Sequence, residues 1–321
     1  MCNSLPVLAL TMGDPAGIGP ELIAKAVAEK NFAGRMKFVL YGSEDVLKKA
    51  LQTVTPAVEY SVLPTCSIKN NDFKLGEAAA ICGQAAYDTV KAACLACLDG
   101  SVDAMVTAPV NKYAVNLAGI EFTGHTELIA ELCQVDDFAM MQSAGQLHVV
   151  FVTTHIALKD VPEFATAKRI EKVTHLLNEV LREENIPSPR IAMAAINPHA
   201  GENGCMGTED ENVVKPTIAL LKSQGLDITG PFPPDTLFIA STLNKFDGVV
   251  SMYHDQGHIP FKMLAFDRGV NSTLGLPIIR TSPDHGTAFE IAGKNLADPG
   301  SFFAAIELAA ARASYRKAAR G

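Results

Sequence analysis

Apolar and polar positions along this chain follow two alternating rhythms. Short, nearly continuous apolar runs are typical of buried strands, and longer segments with apolar residues at helical spacing follow them. The runs predict strands at residues 7–12, 37–41, 104–107, 148–152, 191–196 and 248–252. The longer segments predict helices at 21–30, 85–98, 167–184 and 301–319. This alternation predicts an α/β fold with a largely parallel sheet.

Composition narrows the class of protein. The chain has 321 residues, and its 27 Lys and Arg against 35 Asp and Glu give a formal charge of −8. This length predicts about two domains, and the negative charge argues against a nucleic-acid or anionic-membrane partner. No apolar run approaches the ~18 residues that cross a bilayer. The first six residues lack the cationic and apolar regions of a signal peptide, so we expect a cytoplasmic protein.

The chain has seven cysteines. Cys94 and Cys97 have the CxxC spacing of redox and zinc motifs, but they lie inside the predicted helix 85–98, and no second pair follows. We therefore expect free, buried structural thiols in a reducing compartment.

Three of the eight histidines follow predicted strands closely: His155, His199 and His254. In a parallel sheet these strand ends share one edge, so the imidazoles can converge on a divalent metal. The alternative is that each histidine caps a strand or forms hydrogen bonds in the core. His258, four residues after His254, is a competing ligand on a helix. Two carboxylates are also candidates: Asp255, which adjoins His254, and Asp235. Either one could support a metal ligand or act as a general base, and the alternative is an ordinary loop residue.

A second group of residues points to an anion. Gly124, His125 and Thr126 precede a helical run at 128–133, and a helix N-terminus favours an anion. Lys262, Asn271 and Arg280 lie in mostly apolar surroundings, which indicates an anionic ligand or buried ion pairs. A plain N-cap and snorkelling surface cations are the alternatives. The sequence has no GxGxxG, P-loop, GxSxG or HExxH motif, which makes ordinary Rossmann dehydrogenases, kinases, serine hydrolases and zincins poor candidates.

Several long motifs in order make the chain resemble the 4-hydroxythreonine-4-phosphate dehydrogenase family over essentially its whole length. They are MGDPAGIGPE (12–21), FTGHTE (122–127), INPHAGE (196–202), YHDQG (253–257), RGVNSTLGLP (268–277) and RTSPDHGTA (280–288). The resemblance implies an α/β fold like that of isocitrate and isopropylmalate dehydrogenases, with a catalytic cleft between two α/β domains. The expected domains are residues 1–133 with 285–321 on the NAD-binding side, and residues 134–284 on the metal and dimer side.

The resemblance also implies site residues. His155, His199 and His254 match the family's metal ligands, with zinc, cobalt, manganese or magnesium as the metal. His125, Thr126, Lys262, Asn271 and Arg280 match its substrate contacts. Residues 285–295 resemble the loop that cradles the NAD adenosine, and the expected cofactor contacts are His285, Gly286, Thr287, Ala288, Gly293 and Asn295. A homodimer that completes the metal site across its interface is expected.

The implied reaction is the oxidation and decarboxylation of 4-hydroxy-L-threonine 4-phosphate, a step of pyridoxal phosphate biosynthesis. Asp255 and Lys262 are the candidate catalytic residues, with Asp255 or a bound water as the base. Two stretches, APVNK (108–112) and HIPFK (258–262), instead resemble catabolic relatives that oxidise D-threonate or D-erythronate 4-phosphate. Two other hypotheses are a metal- and phosphate-binding protein without catalysis and an acyl-phosphate transferase. Neither of them needs an NAD-binding loop, so the presence of this loop argues against both.

Overall fold

The computed structural model describes residues 4–320. Cys2 and the first three of the six N-terminal residues that lack signal-peptide features lie outside this range. Within it, the strands are β1 Val7–Thr11, β2 Lys37–Ser43, β3 Tyr60–Cys66, β4 Ala104–Thr107, β5 Ala139–Ala144, β6 Leu147–Phe151, β7 Arg190–Ala194, β8 Asp227–Phe232, β9 Gly248–Ser251, β10 Val270–Leu274 and β11 Arg280–Pro283.

The helices lie mainly between the strands. They are α1 Gly19–Ala28, α2 Glu44–Leu51, α3 Ala80–Leu98, α4 Lys112–Leu117, α5 His125–Leu132, α6 Val161–Phe164, α7 Ala167–Glu183, α8 Lys215–Ser223, α9 Pro234–Leu237, α10 Ala240–Leu243, α11 His254–Ala265 and α12 Gly300–Arg320. Among the helices described, none is both long enough and apolar enough to cross a membrane.

Every strand and helix predicted from the apolar pattern is confirmed, with shifts of at most two residues at the ends, except that α3 begins five residues before the predicted start. Thr166 caps α7 by accepting a hydrogen bond from the Arg169 backbone N–H at 3.2 Å. The strands that the pattern missed carry polar or turn-forming residues. β5 contains the buried Gln142 and Ser143, and β8 contains Gly230 and Pro231.

The chain divides into two compact units. Unit 1 contains the described residues up to 136 and those from 276 onward, and unit 2 contains residues 137–275. The segment 276–284, which the sequence placed with the second domain, therefore lies in unit 1. The physical reason is that β11 pairs with β4 in parallel, Arg280 opposite Met105 and Thr281 opposite Val106.

Unit 1 is built on a parallel sheet with the strand order β3-β2-β1-β4-β11. Its inner strands are buried along their length. Leu8, Leu10 and Met105, for example, have no solvent-exposed surface. A parallel strand covered on both faces reads as a continuous apolar run, which is why β1 and β4 were visible in the sequence.

Unit 2 has the strand order β10-β5-β6-β9-β7-β8. The β10/β5 and β5/β6 pairs are antiparallel, whereas β6/β9, β9/β7 and β7/β8 are parallel. Apolar residues of α7 pack with those of β6, β7 and β9 in one buried cluster. Because β6, β9 and β7 are parallel neighbours, their carboxyl ends lie at one edge of the sheet. The segments that carry the three predicted metal ligands leave from that edge.

Candidate active site

His155 and His254 leave adjacent strands of unit 2. The segments beyond β6 and β9 stay paired: the Thr153 side chain donates a hydrogen bond to the Met252 carbonyl oxygen at 2.7 Å. This link holds the two segments together, and the ring centroids of His155 and His254 are 6.0 Å apart. The structure thus brings together two of the three imidazoles that the sequence indicated.

Gln256 fixes the start of α11, where His254 lies. Its side-chain amide donates to the Ala195 carbonyl oxygen at 2.7 Å, and its side-chain oxygen accepts from the Met252 backbone N–H at 2.7 Å. The buried Gln256 therefore joins the ends of β7 and β9. Sequence reasoning assigned it no role, although it lies inside the YHDQG motif.

Asp255 orients the His254 ring. Its carboxylate oxygen Oδ1 lies 2.7 Å from His254 Nδ1. A histidine held at Nδ1 by a carboxylate presents Nε2 to a metal, and the carboxylate fixes the tautomer. The geometry favours Asp255 as a supporting residue of the ligand rather than a free base.

His199 lies in a loop of unusual backbone conformation. The residues from His199 to Asn203 all have positive φ, between 41° and 77°. Asp210 anchors the start of this loop, because its two oxygens accept from the Ile196 and Asn197 backbone N–H groups at 2.8 and 3.0 Å. The His199 ring is 63% exposed, and Nδ1 is 3.6 Å from a Glu202 carboxylate oxygen. Within residues 4–320, no three His, Cys, Asp or Glu side chains are grouped closely enough to hold a metal.

His258 lies under His254 on α11. The two ring centroids are 4.0 Å apart, and the His258 ring also stacks on Phe151 at 4.6 Å. Neither of its buried ring nitrogens has a hydrogen-bond partner in the described chain. Burial and, secondly, the charge of His254 lower the pKa of His258 to about 4, so this ring is neutral near pH 7.

Two further predicted substrate residues lie in unit 2. Lys262 lies on α11, two turns after His254, and is exposed to solvent. Asn271 is half-buried on β10, opposite Gln142 of β5.

The anion site predicted from the GHTE segment lies in unit 1. The helix α5 begins at His125, so His125 and Thr126 occupy its first turn, where backbone N–H groups have no partner within the helix and favour an anion. The His125 residue is half-buried, but its Nε2 is fully enclosed and without a partner among the described residues. Burial, then the positive charges of Arg280 and Lys112, hold the pKa of His125 well below its usual range, so the ring is neutral.

Arg280 provides a buried cation in the same unit. Arg280 is only 3% exposed, and its Nε and Nη2 donate to the Thr107 hydroxyl oxygen at 3.2 and 2.9 Å. Burial lowers the pKa of Arg280 to about 10, and the opposing charge of Glu127 is the smaller effect. A guanidinium remains protonated there at neutral pH, and a buried one matches a phosphate or carboxylate. Lys112, whose charge acts on His125, was missed by sequence reasoning although it ends the APVNK stretch.

The predicted cofactor loop also belongs to unit 1. The Ile18 backbone N–H donates to the Thr287 carbonyl oxygen at 3.1 Å, and a Cβ at position 17 would lie 2.9 Å from that oxygen, so Gly17 permits the contact. Gly293 and Asn295 line a cavity of about 310 Å³ together with Gly17, Glu21, Lys49 and Asn70. Its other lining residues are Pro15, Pro20, Val46, Ala50, Thr53 and Leu75. His285, Gly286 and Ala288 lie in the first part of this loop and are not among the cavity-lining residues, and Ala288 has a left-handed φ of 43°.

Comparison with known proteins places this arrangement in a family. The family described as pyridoxal phosphate biosynthetic protein PdxA matches residues 34–309. The chain belongs to this family. A 4-hydroxythreonine-4-phosphate dehydrogenase of Desulforapulum autotrophicum is 41% identical over 100% of the chain and 99% of that protein. A D-threonate 4-phosphate dehydrogenase of Pectobacterium atrosepticum is also 41% identical, over 94% of the chain and 98% of that protein.

Solved structures agree with this membership. The crystal structure of the 4-hydroxythreonine-4-phosphate dehydrogenase from Klebsiella pneumoniae has a TM-score of 0.84 at 41% identity, covering 98% of the chain and 100% of that structure. An isocitrate dehydrogenase from Methylococcus capsulatus, 12% identical with a TM-score of 0.50, shares the fold alone. The predicted family, the α/β fold class and the dehydrogenase class of enzyme are therefore confirmed.

Proposed function

We propose that this protein oxidises and decarboxylates a 4-phosphorylated four-carbon 3-hydroxy acid, with NAD as the hydride acceptor and a divalent metal. The substrate proposed first is 4-hydroxy-L-threonine 4-phosphate, which yields 3-amino-2-oxopropyl phosphate. The substrate's C3 hydroxyl loses a proton and its carbon a hydride, and the resulting β-keto acid releases carbon dioxide. The names of the relatives support this class of substrate.

The observation that carries the proposal is the buried Arg280 beside the neutral His125 at the start of α5. The buried guanidinium, on which the Glu127 charge also acts, presents donors that match a phosphate, and the helix N-terminus adds N–H donors with a favourable dipole. His125 has one enclosed ring nitrogen to offer to a phosphate oxygen. We assign phosphate binding to Arg280, His125 and Thr126.

The donor chemistry of unit 2 fits a divalent metal. His254 is held at Nδ1 by Asp255, and His155 lies beside it. We propose that His155, His199 and His254 hold zinc, cobalt, manganese or magnesium. When bound, the metal supplies Lewis acidity toward the substrate hydroxyl, and NAD supplies the hydride acceptor. Residues 285–295, with Gly293 and Asn295 at the cavity, are proposed to bind the NAD.

The remaining unit 2 residues orient the substrate. Lys262 follows His254 on α11, so its ammonium group can bind an anionic part of the substrate and pass a proton to it. Asn271 is proposed to donate an amide hydrogen bond. Asp255 keeps the His254 ring in one tautomer and orientation, which preserves the ligand geometry through the reaction.

A homodimer is part of this proposal. The helix α11 exposes Ile259, Met263 and Leu264, which are 58%, 82% and 54% accessible in the single chain. An apolar surface of this kind on the helix that carries His254 favours burial against a second copy. The second copy then provides the ligands that one chain does not group together.

The alternative substrate is D-threonate or D-erythronate 4-phosphate. Relatives of about the same identity are named D-threonate 4-phosphate dehydrogenase, which supports the first of these two acids. Of the two stretches that favour it, one has a structural explanation: the Asn111 side chain caps α4 by accepting from the Ala114 backbone N–H at 3.0 Å. His258, by contrast, has no hydrogen-bonding role within the described residues, so it is the stronger of the two indications.

The decisive experiment compares the substrates side by side. Purified protein is stripped with a chelator, reloaded with zinc, cobalt, manganese or magnesium, and NAD reduction is followed with 4-hydroxy-L-threonine 4-phosphate and with both acid-sugar phosphates. We expect activity only in the reloaded protein, with a clear preference for the amino acid. A preference for the acid sugars would assign the catabolic role, and absence of turnover with all three would reject the substrate class.

A further inference from the structure

Glu21 of α1 holds the backbone of the segment that we propose as the cofactor loop. Its Oε2 accepts a hydrogen bond from the Asn295 backbone N–H at 3.1 Å, and its Oε1 accepts from the Ala297 backbone N–H at 2.8 Å. The partners Glu21 and Ala297 are 276 residues apart in the chain, and both lie in unit 1.

Lys25, one turn further along α1, completes the clamp. Its Nζ donates to Glu21 Oε1 at 2.9 Å and to the Ala297 carbonyl oxygen at 2.6 Å. Both backbone polar groups of Ala297 are thus bound by this one i,i+4 pair. The Lys25 and Glu21 side chains are only 22% and 13% exposed, so solvent screens their interactions less than those of a surface pair.

The clamped backbone contains a left-handed turn. Gly293 has a φ of 73° and Asn295 a φ of 58°, both in the left-handed region. Glycine and asparagine are the residues that adopt this region most easily, so the sequence allows the turn without requiring it. The Glu21 and Lys25 contacts lie directly beside this turn and fix its backbone.

Glu21, Gly293 and Asn295 all line the cavity of about 310 Å³ in unit 1. Both carboxylate oxygens of Glu21 are already engaged by the loop and by Lys25. A carboxylate used in this way shapes the cavity instead of binding a ligand itself.

We propose that Glu21 and Lys25 are positioning residues, which hold residues 293–297 in the shape that accepts the nicotinamide dinucleotide. This inference rests on the proposed function for the identity of the ligand. The start of α1 then has two roles: its glycine-rich entry allows close approach of the backbone, and Glu21 in the first turn, with Lys25 one turn later, fixes the distant loop against the helix.

The test uses Glu21→Gln and Lys25→Met in the full-length protein. Hydrogen–deuterium exchange of the 293–297 peptide is measured without cofactor, and NAD binding is measured by calorimetry without substrate. We expect faster exchange in that peptide and NAD affinity weakened about tenfold or more, the effect of losing a charge-assisted hydrogen bond. In turnover, KM for NAD rises while kcat at saturating NAD stays within about twofold. Lys25→Arg keeps the charge and should retain most of the affinity.

A matched control exists on the next helix. Glu44 and Lys48 of α2 form another i,i+4 pair at 2.7 Å, but their side chains are 53% and 66% exposed. Glu44→Gln should change neither peptide exchange nor NAD affinity. Thermal unfolding and circular dichroism confirm that each variant is folded.

The outcomes are separable. Unchanged NAD affinity in both folded variants would overturn the inference, whether or not exchange of the loop accelerates. NAD binding by the wild-type protein with no turnover of any four-carbon phosphate would reject the proposed reaction, and the affinity of the variants would still decide the role of Glu21. A wild-type protein that does not bind NAD would overturn both.

Discussion

His258 lies against the proposed metal ligand His254, with ring centroids 4.0 Å apart, and buries two ring nitrogens without a hydrogen-bond partner among the described residues. The i,i+4 spacing on α11 creates this contact. A buried polar group without a partner reduces stability, so its presence calls for a test of what it does.

Replacing His258 with Leu should stabilise the metal-free protein. The substitution removes unsatisfied nitrogens and keeps an apolar side chain against Phe151, so we expect the free energy of unfolding to rise by about 1–3 kcal/mol. Urea denaturation of the metal-free protein measures this change in the free energy of unfolding. A loss of stability would show that His258 is satisfied by groups other than those of the single chain.

His148 provides the matched control in the same unit. It is equally buried, but Nδ1 lies 2.9 Å from the Asp247 carbonyl oxygen and Nε2 lies 2.8 Å from a Glu184 carboxylate oxygen. His148→Leu removes both hydrogen bonds of the buried ring and should lower the free energy of unfolding by about 2–5 kcal/mol. The same substitution therefore has opposite effects at the two positions.

Asp14 should make stability fall as the pH rises. Burial raises the pKa of Asp14 from 3.8 to about 6, and the hydrogen bond from the Ala16 N–H at 2.9 Å offsets only part of this. The unfolded chain has the lower pKa, so as the pH rises Asp14 loses its proton in the unfolded state before it does so in the folded state. Up to about 3 kcal/mol of stability is therefore lost from about pH 4 to pH 6. Asp14→Asn should remove this dependence, as followed by urea denaturation across that range.

Asp99 is the control for Asp14. It forms the same local contact, accepting from the Ser101 backbone N–H at 2.8 Å, but it is fully exposed, and hydrogen bonding from the Ser101 side chain and then from its backbone N–H lowers the pKa of Asp99. A lowered pKa contributes stability that is present at neutral pH and lost on acidification. Asp99→Asn should thus show a small effect of the opposite sign. If the two variants behaved alike, burial would not be the cause of the Asp14 shift.

Asp255→Asn should weaken metal binding. Because Asp255 holds His254 Nδ1, we expect the affinity for zinc to fall about 10–100-fold, measured by competition with a chromogenic chelator. Asp235, exposed at the start of α9, is the control, and Asp235→Asn should leave the affinity unchanged. Unchanged affinity in Asp255→Asn together with a low kcat would instead identify Asp255 as a base.

Arg280→Lys should impair substrate binding selectively. Lysine keeps the charge but loses the planar fork that donates to Thr107 and to an anion, so KM for the phosphorylated substrate should rise about 10–100-fold. KM for NAD should not change. Arg190→Lys is the control, since Arg190 pairs with Asp247 at an exposed position of unit 2. Equal loss of affinity for NAD and substrate would show a general defect of unit 1.

The sequence by itself determined the fold class, the main strands and the family. Continuous apolar runs such as β1 and β4 are visible because a parallel strand is buried on both faces. The motifs identified the family because their order along the chain is specific. Strands with buried polar residues, such as β5 and β10, were not visible, because residues such as Gln142, Ser143 and Ser272 interrupt the apolar run.

Only the tertiary structure decided which of the indicated residues meet. His155 and His254 lie together because β6 and β9 are neighbours and Gln256 fixes α11, whereas His199 lies in a left-handed loop whose conformation no local pattern encodes. The clamp of Glu21 and Lys25 on Ala297 could not be read from the sequence either, since it joins two segments far apart in the chain. Local residue patterns encode secondary structure, but contacts of this kind depend on how the whole sheet is ordered.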